Sequence, residues 1–181
     1  MEEEESMINN HLVLVSGKSS SGKSASLMDM DKPEGVMYLN CENGKKLPFK
    51  SKFQEYTVVD PNQVYEAFDK AETMKDVHTI VVDSLTYLMD MYESIRVLNS
   101  TDGYKAWGEY AQYMKVLMSQ KVAKSTKNVV FLAHTSDILN EAEMVNETMV
   151  KVKGSLMNQG IESFFTCVIS TKKVPLTKLE D

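Results

Sequence analysis

Four apolar residues, Leu12-Val13-Leu14-Val15, run directly into Ser16-Gly17-Lys18-Ser19-Ser20-Ser21-Gly22-Lys23-Ser24, and this junction constrains the fold more than any other stretch. A short apolar run of this kind reads as a strand buried on both faces. Behind it, Gly17 and Gly22-Lys23-Ser24 fall on the spacing G-x-x-x-x-G-K-[ST], the P-loop pattern. Its glycines let the backbone curl into a nest of inward-pointing N–H groups that suits phosphate oxygens. Lys23 is placed to bring positive charge to the β- and γ-phosphates, and the Ser24 hydroxyl to ligate Mg²⁺. The residues from Ala25 to Met30 are expected to begin a helix whose positive end faces the same anion. The predicted nucleotide-contacting set is therefore Gly17, Lys18, Ser19, Ser20, Ser21, Gly22, Lys23, Ser24 and Ala25. The alternative is a flexible Ser/Gly-rich turn that matches by chance, against which stand the strand in front and the plausible helix behind.

The rest of the chain alternates strand and helix patterns. Asp31 to Gly35 reads as a turn and Val36 to Leu39 as a second strand, followed by the polar loop Asn40-Cys41-Glu42-Asn43-Gly44. A third strand is predicted over Glu55–Val59. Asp60-Pro61-Asn62-Gln63 is a helix start, with Asp60 as the cap and Gln63 closing a capping box. Val64, Ala67, Phe68, Ala71 and Met74 then make one apolar stripe. Val77–Val82 is a strand closed by Asp83-Ser84, and Leu85, Leu88, Met89, Tyr92 and Ile95 repeat at helical spacing. After the break at Asn99–Gly103, a helix is predicted from Tyr104 to Lys124 and a buried strand over Asn128–Ala133, ending at His134. Residues 136–147 read as a loop or hairpin, with short strands at Met149–Val152 and Phe164–Ser170. This pattern predicts an α/β domain whose mostly parallel sheet has helices on both faces.

With 181 residues, a single domain over 8–181 is expected, behind an acidic tail at 1–7 that contains Glu2–Glu5. Nothing approaches the roughly 18 consecutive apolar residues of a membrane span. The acidic N-terminus lacks the features of a secretion signal, so no membrane partner and a cytoplasmic location are expected. Cys41, Cys167 and the three histidines show neither a disulfide framework nor a zinc spacing. A net charge of −6 excludes a broad nucleic-acid footprint on the monomer, leaving local loops or an assembled ring or filament.

Three further residues carry the chemistry. Asp83 ends an apolar strand, the Walker B arrangement in which an acid holds the Mg²⁺ shell; the competing role is to cap the next helix. Ser84 follows it, so the group that orients or deprotonates water is not the residue next to the acid. Glu42 lies just past the second strand, on the edge where open α/β sheets bind ligands, and is the candidate base; the alternative is a solvated loop carboxylate. His134 ends its strand on that edge as a γ-phosphate sensor or as a satisfied strand-end histidine.

Together, Gly17–Ser24, Tyr38-Leu39-Asn40-Cys41-Glu42, Ile80-Val81-Val82-Asp83-Ser84-Leu85-Thr86, Trp107 with Tyr110, and Phe131-Leu132-Ala133-His134 resemble the RecA-like branch of P-loop ATPases. The chain looks most like the small phage-encoded ATPases associated with recombination and single-strand annealing. The resemblance spans about residues 10 to 170. It implies a RecA-like P-loop fold, ATP and Mg²⁺ as cofactors, Glu42 as the catalytic glutamate and Lys23 in its usual role. His134 stands where the family usually has a sensor Gln. Lys151 and Lys153 are similar to paired lysines that act across a subunit interface, against the alternative of an edge strand protected by charge. The resemblance further implies a homo-oligomer (ring or filament), and single-stranded DNA and a recombination or single-strand-binding protein as partners. If the chain is phage-encoded, it places the protein in the host cytoplasm. The loop after His134 has no Lys or Arg from 135 to 150, which makes it a poor phosphate groove; the Asn99–Lys105 loop with Tyr104 is the other candidate. The alternatives are a nucleotide-dependent regulatory module with little turnover and a nucleotide kinase. Against the kinase stands the single arginine, Arg96.

Overall fold

The computed structural model describes residues 9–141, 143–154 and 160–175; the acidic tail expected at 1–7 lies outside them. The strands are β1 (Leu12–Gly17), β2 (Val36–Asn40), β3 (Gln54–Thr57), β4 (Thr79–Asp83), β5 (Asn128–Asn140), β6 (Val145–Val150) and β7 (Cys167–Thr171). They form a seven-stranded sheet in the order β3-β2-β4-β5-β1-β7, with β6 added alongside β5. Every pairing is parallel except β5 with β6, a hairpin that continues the sheet strand past His134. The α-helices are α1 (Asn62–Thr73), α2 (Leu85–Tyr92) and α3 (Gly103–Val116); π turns at Glu93–Val97 and Leu117–Val122 continue the last two. This is the α/β fold of a P-loop nucleotide-binding domain.

Alternation along the strands divides the core. Leu12 and Leu14 of β1, with Ile80 and Val82 of β4, pack against Phe68 of α1, Leu88 of α2 and Met114 of α3. The opposite face, with Val15, Tyr38, Val81 and Leu132, is covered by Leu27, Phe53, Leu47 and Phe49. Both faces are closed, one by α-helices and the other by short turns and the loop before β3. Burying a side chain such as Phe68 or Leu14 contributes about 1.5–3 kcal/mol.

The helix expected over Ala25–Met30 is reduced to one 3-10 turn, Ser24–Leu27. The Ser26 hydroxyl donates to the Lys23 carbonyl at 2.6 Å, a local bond that competes with helix continuation. Downstream, Lys32 has a left-handed φ of 47° ahead of Pro33, which closes the segment off from helix. The α1 start follows the expected chemistry: Asp60 Oδ1 accepts from Asn62 N, and Gln63 Oε1 accepts from Asp60 N. The third strand lies at Gln54–Thr57 rather than Glu55–Val59, on an exposed edge of the sheet.

Register brings the functional ends together. Gly17 pairs with His134 and Asn40 with Asp83, which puts the ends of β1, β2, β4 and the sheet portion of β5 along one edge.

Candidate functional site

A cleft of about 290 Å³ opens on that edge, lined by the Ser20–Ala25 part of the loop and by Tyr38, Glu42, Asp83 and His134. Lys45, Lys46, Leu47 and Pro48 form its outer wall. Ser20 and Gly22 take positive φ, 57° and 100°, the left-handed backbone that a nest requires. Gly17, Lys18 and Ser19 instead line a second cleft, which shares Ser21 with the first.

Lys23 is buried, and its ammonium donates to the carbonyls of Gly17 at 3.0 Å and Lys18 at 2.9 Å. Burial lowers its pKa, opposed by the charges of Glu42 and Asp83. The Ser24 hydroxyl donates to Asp83 Oδ2 at 2.8 Å. Tyr38, 2% exposed, donates to the same oxygen at 2.5 Å. Burial raises the Asp83 pKa, partly offset by these two donors. An oxygen-only pair of one carboxylate and one hydroxyl, beside a phosphate nest, is the donor chemistry Mg²⁺ takes when a nucleotide supplies the remaining ligands. Ser24 and Asp83 therefore fit that ion.

Glu42 is held by its own loop. Asn40 Oδ1 accepts from Glu42 N at 3.0 Å and Asn40 Nδ2 donates to the Lys45 carbonyl at 2.8 Å, so the end of β2 shapes the turn that presents the carboxylate. Oε1 accepts from His134 Nε2 at 3.2 Å and from Ser84 Oγ at 3.2 Å; Oε2 accepts from Lys45 Nζ at 2.9 Å. The His134 hydrogen bond, with Lys45 behind it, pulls the Glu42 pKa down to about 2 against its partial burial. A residue read as a loop carboxylate or a base is thus an ionised, well-anchored one.

His134 stands between the two. Its Nδ1 lies 3.4 Å from the Lys23 ammonium and its Nε2 contacts Glu42. One tautomer, protonated on Nε2, satisfies both contacts. Its backbone N–H donates to Thr86 Oγ1 at 3.0 Å, which ties the strand end to α2. The imidazole is therefore in contact with the P-loop lysine and with the candidate base.

Lys151 and Lys153 lie away from this cleft. Lys151 is exposed, its backbone N–H bonded to the His134 carbonyl at 2.8 Å. The Lys153 ammonium is held by Asp90 at 2.6 Å and by Glu93. Of Asn99–Lys105, Tyr104 is 95% exposed.

The structure adds Tyr38, Lys45 and Ser84 to the residues that contact the site's chemistry. Tyr38 in an apolar strand reads as core, and only its register opposite Val81, beside Asp83, reveals the hydroxyl's role. Lys45 follows Glu42 by three residues, a spacing that could have flagged the pair.

The sequence matches the family described as an AAA domain over residues 9–174. The chain belongs to the AAA domain family. It is a P-loop domain of ATPase type, and the cleft above is the candidate nucleotide site. No curated protein matches it. Among solved structures, it is similar to a structural-genomics crystal structure of YQHD from E. coli K-12, described there as of unknown function. That likeness has 10% identity and a TM-score of 0.34, over 90% of this chain and 44% of the other, too remote to bear on the AAA domain's chemistry. Among the described residues, no helix is long and apolar enough to cross a membrane.

Proposed function

We propose that this AAA domain binds Mg·ATP and hydrolyses it, and that it works in phage DNA recombination, repair or single-strand annealing as a ring or filament of identical subunits. The observation that carries the hydrolytic part is the continuous contact from Lys23 through His134 to Glu42. The DNA-linked part rests on the resemblance to RecA-like phage ATPases.

Binding ATP sets the β- and γ-phosphates in the nest and offers Lys23 a stronger partner than the two carbonyls it now bonds. Ser24 and Asp83 would hold Mg²⁺, which would supply positive charge to the phosphate oxygens. Tyr38 keeps Asp83 turned toward Ser24. Glu42, ionised by its donors, orients the attacking water; with a pKa near 2 it is a stronger positioner than proton acceptor. When His134 turns to the γ-phosphate, Glu42 loses the donor that most depresses its pKa, and its basicity rises where the proton must go. Lys45 remains as its counter-charge. Lys151, exposed at the root of the hairpin, is the better placed of the two lysines to reach a neighbouring subunit. The single arginine is paired with Asp60 at 2.8 Å, so it serves as a structural ion pair rather than a kinase clamp.

A regulatory module with little turnover is the second reading, favoured by the low pKa of Glu42. Steady-state hydrolysis by the wild type and Lys23→Ala, with and without single-stranded DNA, separates the two. Turnover that DNA stimulates and Lys23→Ala abolishes supports the ATPase. Tight nucleotide binding with no turnover under either condition selects the module.

A further inference from the structure

Against the same P-loop, sharing Ser21 with the candidate nucleotide cleft, lies a larger one of about 650 Å³. One wall is the loop itself, Gly17 to Ser19 with Ser21; the others are the hairpin of β5 and β6 and the end of β7 with Lys172 and Lys173. Three lysines, Lys18, Lys172 and Lys173, face one carboxylate, Asp137, in a chain whose net charge is −6. Hydroxyl groups make up much of the remaining lining, and one of them, Thr135 Oγ1, is buried without a hydrogen-bond partner among the described residues. Lysine ammoniums, hydroxyls and backbone N–H groups are the donors that hold phosphodiester oxygens.

We infer that this cleft binds the backbone of single-stranded nucleic acid, with Lys18, Lys172 and Lys173 as phosphate contacts. The choice of nucleic acid rests on the DNA-linked function proposed above; the cationic, hydroxyl-lined cleft stands without it. Its surroundings favour an extended strand over a small anion. The hairpin leaves Ile138, Leu139, Met144 and Val145 exposed, and β7 leaves Val168 and Ile169 exposed. Charged groups beside apolar surface match the two chemistries of a single strand, its phosphates and its base faces.

The cations come from segments far apart in sequence, joined by the parallel pairing of β1 with β7. Thr171 Oγ1 lies 2.6 Å from Ser21 Oγ and donates to the Ser16 carbonyl at 3.1 Å, which fixes Lys172 and Lys173 beside the P-loop. Asp137 is bonded to Lys18 at 2.5 Å and accepts from Thr148 at 2.9 Å. A phosphate competes with Asp137 for Lys18, so a strand in the cleft frees the hairpin from the P-loop. The occupied cleft thereby acts on the loop that holds ATP and on the strand that carries His134.

The test is fluorescence anisotropy of a labelled oligothymidylate against wild type and the double variant Lys172→Glu/Lys173→Glu, across a salt series. Lys172→Gln/Lys173→Gln serves as a second variant that removes charge without reversing it. Retained binding of a fluorescent ATP analogue reports an intact P-loop. The expected result is at least a tenfold loss of oligonucleotide affinity in the Glu pair. The salt slope falls by about 1.4, from two phosphate contacts at about 0.7 each on a single strand. Inorganic pyrophosphate at matched phosphate concentration leaves the wild-type complex intact. Unchanged affinity and slope in both variants overturns the site while leaving DNA binding as such in place. A wild type that turns over ATP but ignores the oligonucleotide overturns the inference and leaves the ATPase standing. Displacement of the strand by pyrophosphate overturns it in favour of a small-anion pocket.

Discussion

At the residue scale, one oxygen carries an unusual share of the site. Asp83 Oδ2 accepts from both Ser24 and Tyr38, so the carboxylate is aimed before any ligand arrives. Groups that orient a metal-binding side chain typically account for 10–100-fold in metal affinity when removed. Tyr38→Phe is accordingly expected to weaken Mn²⁺ binding about tenfold, measured by electron paramagnetic resonance with a non-hydrolysable ATP analogue. Metal-free nucleotide affinity should stay unchanged. Unaltered Mn²⁺ affinity would leave the tyrosine a packing residue.

Glu42 gives a pH signature. Its pKa in the folded chain, about 2, lies below the ordinary 4.5. Its contribution to stability is therefore fully present above pH 4.5 and fades as the pH falls toward 2. Urea midpoints of wild type and Glu42→Gln should be separated at pH 6 and should converge on acidification through that window. A gap that stays constant down to pH 2 removes the His134 and Lys45 bonds as the cause.

Among elements, the contact that matters most is between the P-loop and β7. A Cβ on Gly17 would come within 2.1 Å of Thr171 Oγ1, 2.5 Å of Ser21 Oγ and 2.7 Å of the Thr171 carbonyl. Gly17→Ala therefore forces β7 outward, and overpacking of this kind costs about 1–3 kcal/mol. Thermal unfolding should show the loss for Gly17→Ala, and the combination Gly17→Ala/Thr171→Ser/Ser21→Gly should not be more stable than Thr171→Ser/Ser21→Gly alone, because the Thr171 carbonyl clash persists. A Gly17→Ala protein as stable as wild type would contradict the contact.

These elements also show what local pattern can and cannot give. The strands up to β5 and the helices α1 to α3 were legible because their apolar periodicity is local. So were Lys23, Ser24, Asp83 and Glu42 as candidates, because each sits at a strand end or in a spaced motif; His134 followed an apolar run, although β5 continues past it to Asn140. The segment after the P-loop was not, because a hydroxyl bonding back to the Lys23 carbonyl outweighs a short apolar pattern. The second cleft was hidden for another reason. Lys18 and Lys172 are neighbours only through β1–β7 pairing, and a lysine-free hairpin hid the cations that other segments bring to it.

For the whole molecule, the parallel order of the sheet gathers the candidate nucleotide cleft and the lysine cleft against one loop. The chain belongs to the AAA domain family, and its P-loop contacts Asp83 through Ser24 and reaches Glu42 through Lys23 and His134. Family and fold assign it to nucleotide; the proposal that it hydrolyses ATP turns on Glu42. Loss of a group that activates water costs about 10²–10⁴-fold in rate. The decisive measurement is single-turnover hydrolysis of Mg·ATP by wild type and Glu42→Gln, alongside the affinity of each for a fluorescent ATP analogue. The expected result is a rate at least about a hundredfold lower with nucleotide affinity unchanged. Equal rates in the two proteins would contradict Glu42 as the group that directs water at the γ-phosphate.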